Sequence, residues 1–402
     1  MDCFKGKPPA GVSPQLLKAL ELVCRTNFRS RPAGPAPAVA GLSRLFTKER
    51  TALHRTYLDD PDHAAAYLSY FLPVNLSKIQ VLLDEMPEDT QADQKADGLH
   101  LLDLGSGPGT GALALLDWLR QRRPEQTRRL TVVAADSSAE ALKLAKSLWD
   151  GYCGETGTTG ARLNLCEANL ERAPGGSWGD PVKADAPYDL IVLANCLNEL
   201  FTQAADPVAS RAGLIAELLP LLAPHGTMMI VEPALRETSR DLHRLRDRLL
   251  QEQRCTIYSP CLHERNCPAL VHPDDWCHEE RAWEAPPGIK AIDQEVGFIK
   301  DALKFSYLLL RKDGKTIVPR RPQTFRLVSE LRELKGDTRA WVCNELGRSE
   351  VGRLDRTRSE TNAAWDECQR GAIVWIEGLQ RKEGAMLGRI PAEGTVEIVR
   401  PV

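Results

Sequence analysis

The stretch LLDLGSGPGTG, residues 101–111, decides how the rest of the chain is read. It begins as a short apolar run, turns at Gly105 and passes into TGALALLDWLRQR (110–122), a helical pattern. Strand, glycine loop and helix therefore follow one another directly. Glycines at 105, 107, 109 and 111 let the backbone approach a ligand closely and turn N–H groups toward it at a helix N-terminus. The spacing excludes two common loops of this kind. A dinucleotide fingerprint starting at Gly105 needs glycine at position 110, which is Thr110; starting at Gly107 it needs glycine at 112, which is Ala112. No Gly-Lys-Ser/Thr follows, so the loop is not a phosphate-binding P-loop either.

Outward from the loop, strand and helix alternate. RLTVVAAD (129–136) reads as a second strand ending in Asp136, and SSAEALKLAKSLWDG (137–151) as a Ser-capped helix closed by glycine. YDLIVLAN (188–195) and GTMMIVEP (226–233) are two further strands, with helical ASRAGLIAELLPLLA (209–223) between them. Short apolar strands separated by helices predict a parallel, doubly wound α/β sheet. Upstream, SPQLLKALELVCR (13–25), a Pro/Ala-rich break at 30–41 and the run 43–86 predict an N-terminal helical region, closed by the polar loop 87–98. Downstream, RETSRDLHRLRDRLLQEQ (236–253) predicts a polar helix. LKFSYLLLRKDG (303–314), 324–347 and GTVEIVRPV (394–402) predict a small β-rich unit. The expected organisation is 1–95 helical, 96–254 the α/β core, 255–300 a cysteine-rich segment and 301–402 the basic β-rich unit.

Composition bounds the function. The chain has 402 residues, 43% hydrophobic and 27% charged, with a net charge of −3, as in an ordinary soluble protein. The charge is uneven: residues 300–358 hold 15 Lys/Arg against 8 Asp/Glu, whereas the whole chain holds 52 against 55. A local excess of this kind suits a polyanion. No apolar run approaches the roughly 18 residues of a membrane span, and the N-terminus has no secretory h-region. A reducing, cytoplasmic setting is expected, where eleven cysteines read as thiols or ligands rather than disulfides.

The cysteines concentrate in CLHERNCPALVHPDDWCHEE (261–280). Cys261, Cys267 and Cys277 are spaced by five and nine residues, which matches neither paired C-x-x-C knuckles nor ferredoxin runs. Three thiolates need one more ligand. Cys343, at the end of a predicted strand, is the best candidate, with Cys255 and Cys368 as alternatives; Cys368 reads as a packed thiol. His263, His272 and His278 could supply nitrogen to zinc.

Acid-x-Gly-x-Gly-x-Gly, Asp103 to Gly109, resembles motif I of class I S-adenosylmethionine (SAM) methyltransferases. The resemblance implies that Gly105, Ser106, Gly107 and Gly109 hug the amino-acid half of SAM, with Asp103 on its ammonium side. Asp136 would accept the ribose diol, since two carboxylate oxygens match two vicinal hydroxyls. Glu167 or Asn169 would meet the adenine edge, and Asn195 opens into the cleft at the tip of its strand. The place of an Asn/Asp-Pro-Pro-aromatic motif is taken by NCLNEL (195–200), which names no general base. Cys196 there could be a nucleophile, but reads better as a small strand-end residue.

With the cysteine segment added, the chain is similar to the methyltransferase-like assembly factors of the small ribosomal subunit, known from mitochondria and with bacterial relatives. The resemblance rests on YLDDPDHAAAYLSYFLPVN (57–75), the glycine loop, LNEL (197–200), VEP (231–233), the cysteine segment and LKFSYLLL (303–310). One departure is Glu279 where an aromatic is expected after WCH. The family implies a [4Fe–4S] cluster on Cys261, Cys267, Cys277 and Cys343, with zinc as the alternative, and binding of small-subunit rRNA. Lys304, Arg311, Lys312, Lys315, Arg320 and Arg321 are the expected phosphate contacts. A bacterial, cytoplasmic member is expected, or a mitochondrial one in a eukaryote. Methyl transfer stays open. Competing readings are an active methyltransferase on rRNA or a ribosomal protein, and a small-molecule methyltransferase with structural zinc.

Overall fold

The structure, a computed structural model, describes residues 11–28, 34–52, 56–87, 98–171, 180–384 and 386–402. Most of the polar loop expected at 87–98 lies outside them. The chain divides into two compact units, one of residues 1–231 with 282–303, the other of 232–281 with 304–402.

The first unit opens with helices α1 (Pro14–Asn27), α2 (Ala36–Thr47), α3 (Pro61–Ala66) and α4 (Leu72–Glu85). Ser13 caps α1, its hydroxyl accepting from the Leu16 N–H at 3.2 Å. The expected Pro/Ala break is shorter than the sequence suggested, because α2 runs through its second half. Pro37 sits in the first turn, where a missing N–H costs nothing, and the alanines favour helix.

The sheet of this unit contains β1 (Leu99–Leu104), β2 (Leu130–Asp136), β3 (Arg162–Glu167), β4 (Tyr188–Ala194) and β5 (Leu222–Pro233). They are parallel in the order β3-β2-β1-β4-β5. Helices α5 (Thr110–Arg122) and α6 (Ala139–Thr156) carry the chain from β1 to β2 and from β2 to β3. Short helix α7 (Asp180–Ala184) and then α8 (Pro207–Leu218) precede β4 and β5. Strand order reverses between β1 and β4, so a crevice opens beyond their C-terminal ends. α1 packs on α6 and α4 on α5. Buried Asp117 joins these four helices, accepting from the Ser13 N–H at 3.0 Å, Gln80 Nε2 at 2.8 Å and Tyr152 OH at 2.6 Å.

The second unit contains α9 (Arg236–Gln251), which is polar in composition yet buries Leu242, His243, Leu245, Arg246 and Leu249 along one face. Strands β6 (Thr256–Ser259) and β7 (Glu279–Ala282) both pair with β8 (Ala302–Arg311). Helix α10 (Pro287–Val296) belongs to the first unit. The remaining strands are β9 (Thr324–Leu327), β10 (Arg332–Leu334), β11 (Asp337–Asn344), β12 (Gly347–Leu354), β13 (Ile373–Glu377), β14 (Gln380–Arg381), β15 (Leu387–Ile390) and β16 (Thr395–Arg400). They form a sheet in the order β14-β15-β12-β11-β9-β13-β16, with β10 on β11. Its pairs are antiparallel except β12 with β15. Trp365 is fully buried in its core, with Nε1 donating to the Thr338 carbonyl at 3.2 Å.

Candidate cofactor cleft and cysteine cavity

Gly105, Gly107 and Gly109 all take positive φ (60°, 52° and 83°), which is why side-chain-bearing residues do not stand there. At Gly105 space adds a second demand: a Cβ would lie 2.5 Å from Cys196 Cβ and 2.8 Å from its Sγ. The loop is tied down by both predicted acids. Asp103, 1% exposed, accepts from the Ala112 N–H at 2.9 Å at the start of α5. Its carboxylate thus faces the helix N-terminus, and burial holds its pKa up at about 7 against the pull of the Ala112 and Gly111 N–H groups. Asp136 accepts from the Gly107 N–H at 2.8 Å and the Ser138 N–H at 2.9 Å. Burial raises its pKa too, opposed by those backbone donors. The hydroxyl of Ser106 is buried in the loop with no hydrogen-bond partner among the described residues, an unspent donor and acceptor.

Across the crevice, Asn195 leaves β4 in the left-handed conformation, φ 57°, with its N–H on the Val231 carbonyl at 2.7 Å. The Cys196 thiol donates to the Leu104 carbonyl at 3.3 Å, so it packs on the glycine loop as a small strand-end residue. Asn198 donates to the Asn195 carbonyl at 3.1 Å and accepts from Arg50. Sequence reasoning missed one contributor, the 3₁₀ turn Tyr57–Asp59. Tyr57 is raised well above the usual phenol range by burial, then by Tyr67, Glu199, Asp136 and Cys196 around it. Asp59 accepts from the Ser138 hydroxyl at 3.0 Å. Of the two adenine-edge candidates, Glu167 is exposed at the end of β3, and Asn169 accepts from the Glu171 N–H at 2.9 Å.

In the second unit one cavity, about 800 Å³ of empty space counting its mouth, is lined by Cys261, Cys267, Cys277 and Cys343 together. Three come from the loop before β7 and the fourth from β11. Cys255 and Cys368 do not line it; Cys368 donates to the Ala364 carbonyl at 3.3 Å in the core of the sheet. Burial, then the neighbouring thiols, pushes Cys277 up to about 11 and raises Cys267 and Cys343 as well. Among the described residues, no three His, Cys, Asp or Glu side chains converge closely enough to hold a metal ion as they stand. His243 and His263 line the cavity as neutral rings. Burial, reinforced by Arg246, holds them down at about 3 and about 4. The first accepts from the Cys277 N–H at 3.1 Å; Nε2 of the second lies 3.8 Å from Cys343 Sγ. Of the other two histidines considered as ligands, His278 also lines the cavity, paired to Glu280 at 2.9 Å, and His272 does not. Glu279, in place of the expected aromatic, is buried and accepts from Arg281 at 3.2 Å and Arg326 at 3.1 Å. A carboxylate there anchors two arginines, which an aromatic could not.

The expected phosphate contacts need one correction. Arg311 is 1% exposed and bound to Asp313, so it cannot reach a polyanion. Lys304 is exposed but paired to Glu280 at 3.2 Å. Lys312, Lys315, Arg320 and Arg321 are exposed. Much of the remaining local charge is spent internally, Arg339 and Arg389 on Asp337 and Arg353 on Asp366.

A parallel sheet of order 3-2-1-4-5 with an acid-x-Gly-x-Gly-x-Gly loop at its reversal point gives an α/β fold like that of SAM-dependent methyltransferases. The chain belongs to the mitochondrial small ribosomal subunit Rsm22 family, whose sequence profile matches residues 61–372. Solved structures similar to it include a methyltransferase from Streptomyces caelestis (18% identity, 35% of this chain and 45% of that one, TM-score 0.24). Two more are an O-methyltransferase family 2 protein from Planctomyces limnophilus (16%, 73% and 65%, 0.31) and a SAM-dependent methyltransferase from Leishmania major (15%, 74% and 83%, 0.33). The chain thus spans under half of the first of these and just under two thirds of the second. No curated protein matches the sequence. Among the described residues, no helix is long and apolar enough to cross a membrane.

Proposed function

We propose that the chain is a SAM-binding, [4Fe–4S]-holding factor that acts on the small ribosomal subunit and binds its rRNA. The observation that carries this reading is the cavity lined by Cys261, Cys267, Cys277 and Cys343 within a chain of this family. The donor set fits the group. Four thiols around one cavity suit iron–sulfur or zinc chemistry and do not suit calcium or magnesium. Arg246 and Arg348 also line the cavity and would offset the negative charge that four thiolates bring. In a cubane each iron takes one thiolate, so four sulfurs spread around a cavity suffice. Bound metal would tie β11 to the loop before β7, coupling occupancy to folding of the second unit.

In the first unit the fit to SAM rests on Ser106, whose buried hydroxyl lacks a partner among the described residues, and on glycines that keep the loop clear. Asp136 keeps lone pairs for a diol while holding Gly107 and Ser138; Asp103 shapes the loop from behind. Asn195 and Tyr57 bound the opposite side. When bound, SAM would supply an electrophilic methyl group. We assign no general base among the described residues of the cleft, so the proposal is one of SAM binding.

The test is cosedimentation with immature small subunits, using the chain reconstituted anaerobically with iron and sulfide. The wild-type chain and Asp136→Ala should both pellet with subunits, while Asp136→Ala loses SAM binding by calorimetry. Cys343→Ser should lose subunit binding. A Cys343→Ser chain that pellets as well as wild type overturns the link between cluster and subunit. Methyl transfer from labelled SAM in a single turnover would establish the enzymatic reading instead.

A further inference from the structure

Beside the cysteine cavity the second unit carries an open groove of about 980 Å³, counting its mouth. Arg265, Arg320 and Arg321 line it, the first from the cysteine loop and the others from the segment before β9. Two carboxylates, Glu264 and Glu345, also line it, and Arg320 neutralises the first at 2.9 Å.

The groove is rigid. Pro319 and Pro322 flank the two arginines, and Gln323 holds the left-handed conformation at φ 65° where the loop enters β9. The Gln323 carbonyl accepts from the Ile376 N–H at 3.0 Å, fixing the loop to β13. Arg321 lies over the Trp375 ring at 5.0 Å, which presents its guanidinium as a flat stacking surface. Behind the cysteine-loop wall, Arg246 donates to the His263 carbonyl. Arginines beside an apolar floor of Leu262, Val318 and prolines match the needs of an unpaired strand: cations for phosphate and flat or apolar surface for base faces. A duplex hides its bases and has no use for such a floor.

We infer that this groove holds the phosphodiester backbone of single-stranded RNA, with Arg265, Arg320 and Arg321 on phosphates, the last two exchanging their surface partners Glu264 and Glu397 for phosphate. The inference rests on the rRNA-binding reading above and gives it a location. Arg320 and Arg321 were expected contacts; Arg265 is new, and Arg311 drops out.

The experiment is fluorescence anisotropy of the full, reconstituted chain with a labelled unpaired RNA of about ten nucleotides, across a salt series. A hairpin duplex and inorganic phosphate serve as competitors. Arg265→Gln/Arg320→Gln should weaken binding about tenfold and lower the slope of log affinity against log salt by about 0.7 per arginine removed. Competition by the unlabelled single strand but not by the duplex or phosphate is expected. If wild type binds the strand and the double variant binds it within twofold at the same slope, the groove assignment is wrong while the rRNA reading stands. Preference for the duplex, or competition by phosphate alone, also overturns the groove assignment. If wild type binds neither the strand nor small subunits, the proposed function fails and the groove with it.

Discussion

Replacing Gly105 by alanine tests the geometry of the candidate cofactor cleft at one atom. Two costs arise. Gly105 has φ 60°, and a left-handed conformation costs a side-chain-bearing residue about 1–2 kcal/mol. The new Cβ would also lie 2.5 Å from Cys196 Cβ and 2.8 Å from its Sγ, and overpacking of this kind costs about 1–3 kcal/mol. Gly105→Ala should therefore destabilise the first unit by about 2–5 kcal/mol and abolish SAM binding by parting the loop from the tip of β4. The two costs separate experimentally. Cys196→Ala removes only the Sγ contact, whereas Cys196→Gly removes both. In the Cys196→Gly background the cost of Gly105→Ala should shrink to the backbone part, about 1–2 kcal/mol. Chemical denaturation of the four combinations gives the coupling, and calorimetric titration with SAM follows binding. Additive stability effects, within about 0.5 kcal/mol, would refute the contact between the loop and Cys196.

Two further predictions concern titration. Burial pushes Asp337 up, but Arg389 and Arg339 outweigh it and hold its carboxyl below the usual range. Its contribution is thus present above the unfolded pKa near 3.8 and is lost as pH falls through the lower folded value. Asp337→Asn should destabilise the second unit at pH 7 by about 1.5–3 kcal/mol and flatten its acid limb, read by denaturation from pH 7 to 3; an unchanged acid limb would contradict this. Asp103 runs the other way. Burial holds it at about 7, so the folded chain keeps a proton that the unfolded chain loses, and stability should fall as pH rises from about 4 to 7. Asp103→Asn should remove that slope from the first unit, and a slope unaffected by the change would refute the assignment.

The parallel sheet was legible because its strands are short apolar runs and its loop is nearly half glycine; both are local signals. The extent of α2 was misjudged because proline reads as a breaker, whereas Pro37 falls in a first turn where it is harmless. Arg311 was misread because charge counts carry no burial: its partner Asp313 is two residues away, and the sequence does not say that the pair is buried. The 65-residue gap between Cys277 and Cys343 has no periodicity, so their meeting at one cavity depends on strand pairing in the second unit. Tyr57 and Asp59 lie far upstream of the glycine loop, in a stretch that carried the family resemblance but no stated role, and only the fold reveals them beside Asp136 and Ser138.

The most direct measurement of the central claim is the metal content and absorption spectrum of the chain purified without oxygen, beside Cys343→Ser and Cys368→Ser. The account predicts a brown protein with about four irons and about four sulfides per chain, as an all-cysteine cubane requires. It predicts the same for Cys368→Ser, and loss of iron and colour for Cys343→Ser. A colourless wild-type chain with one zinc, or with no metal, would contradict it.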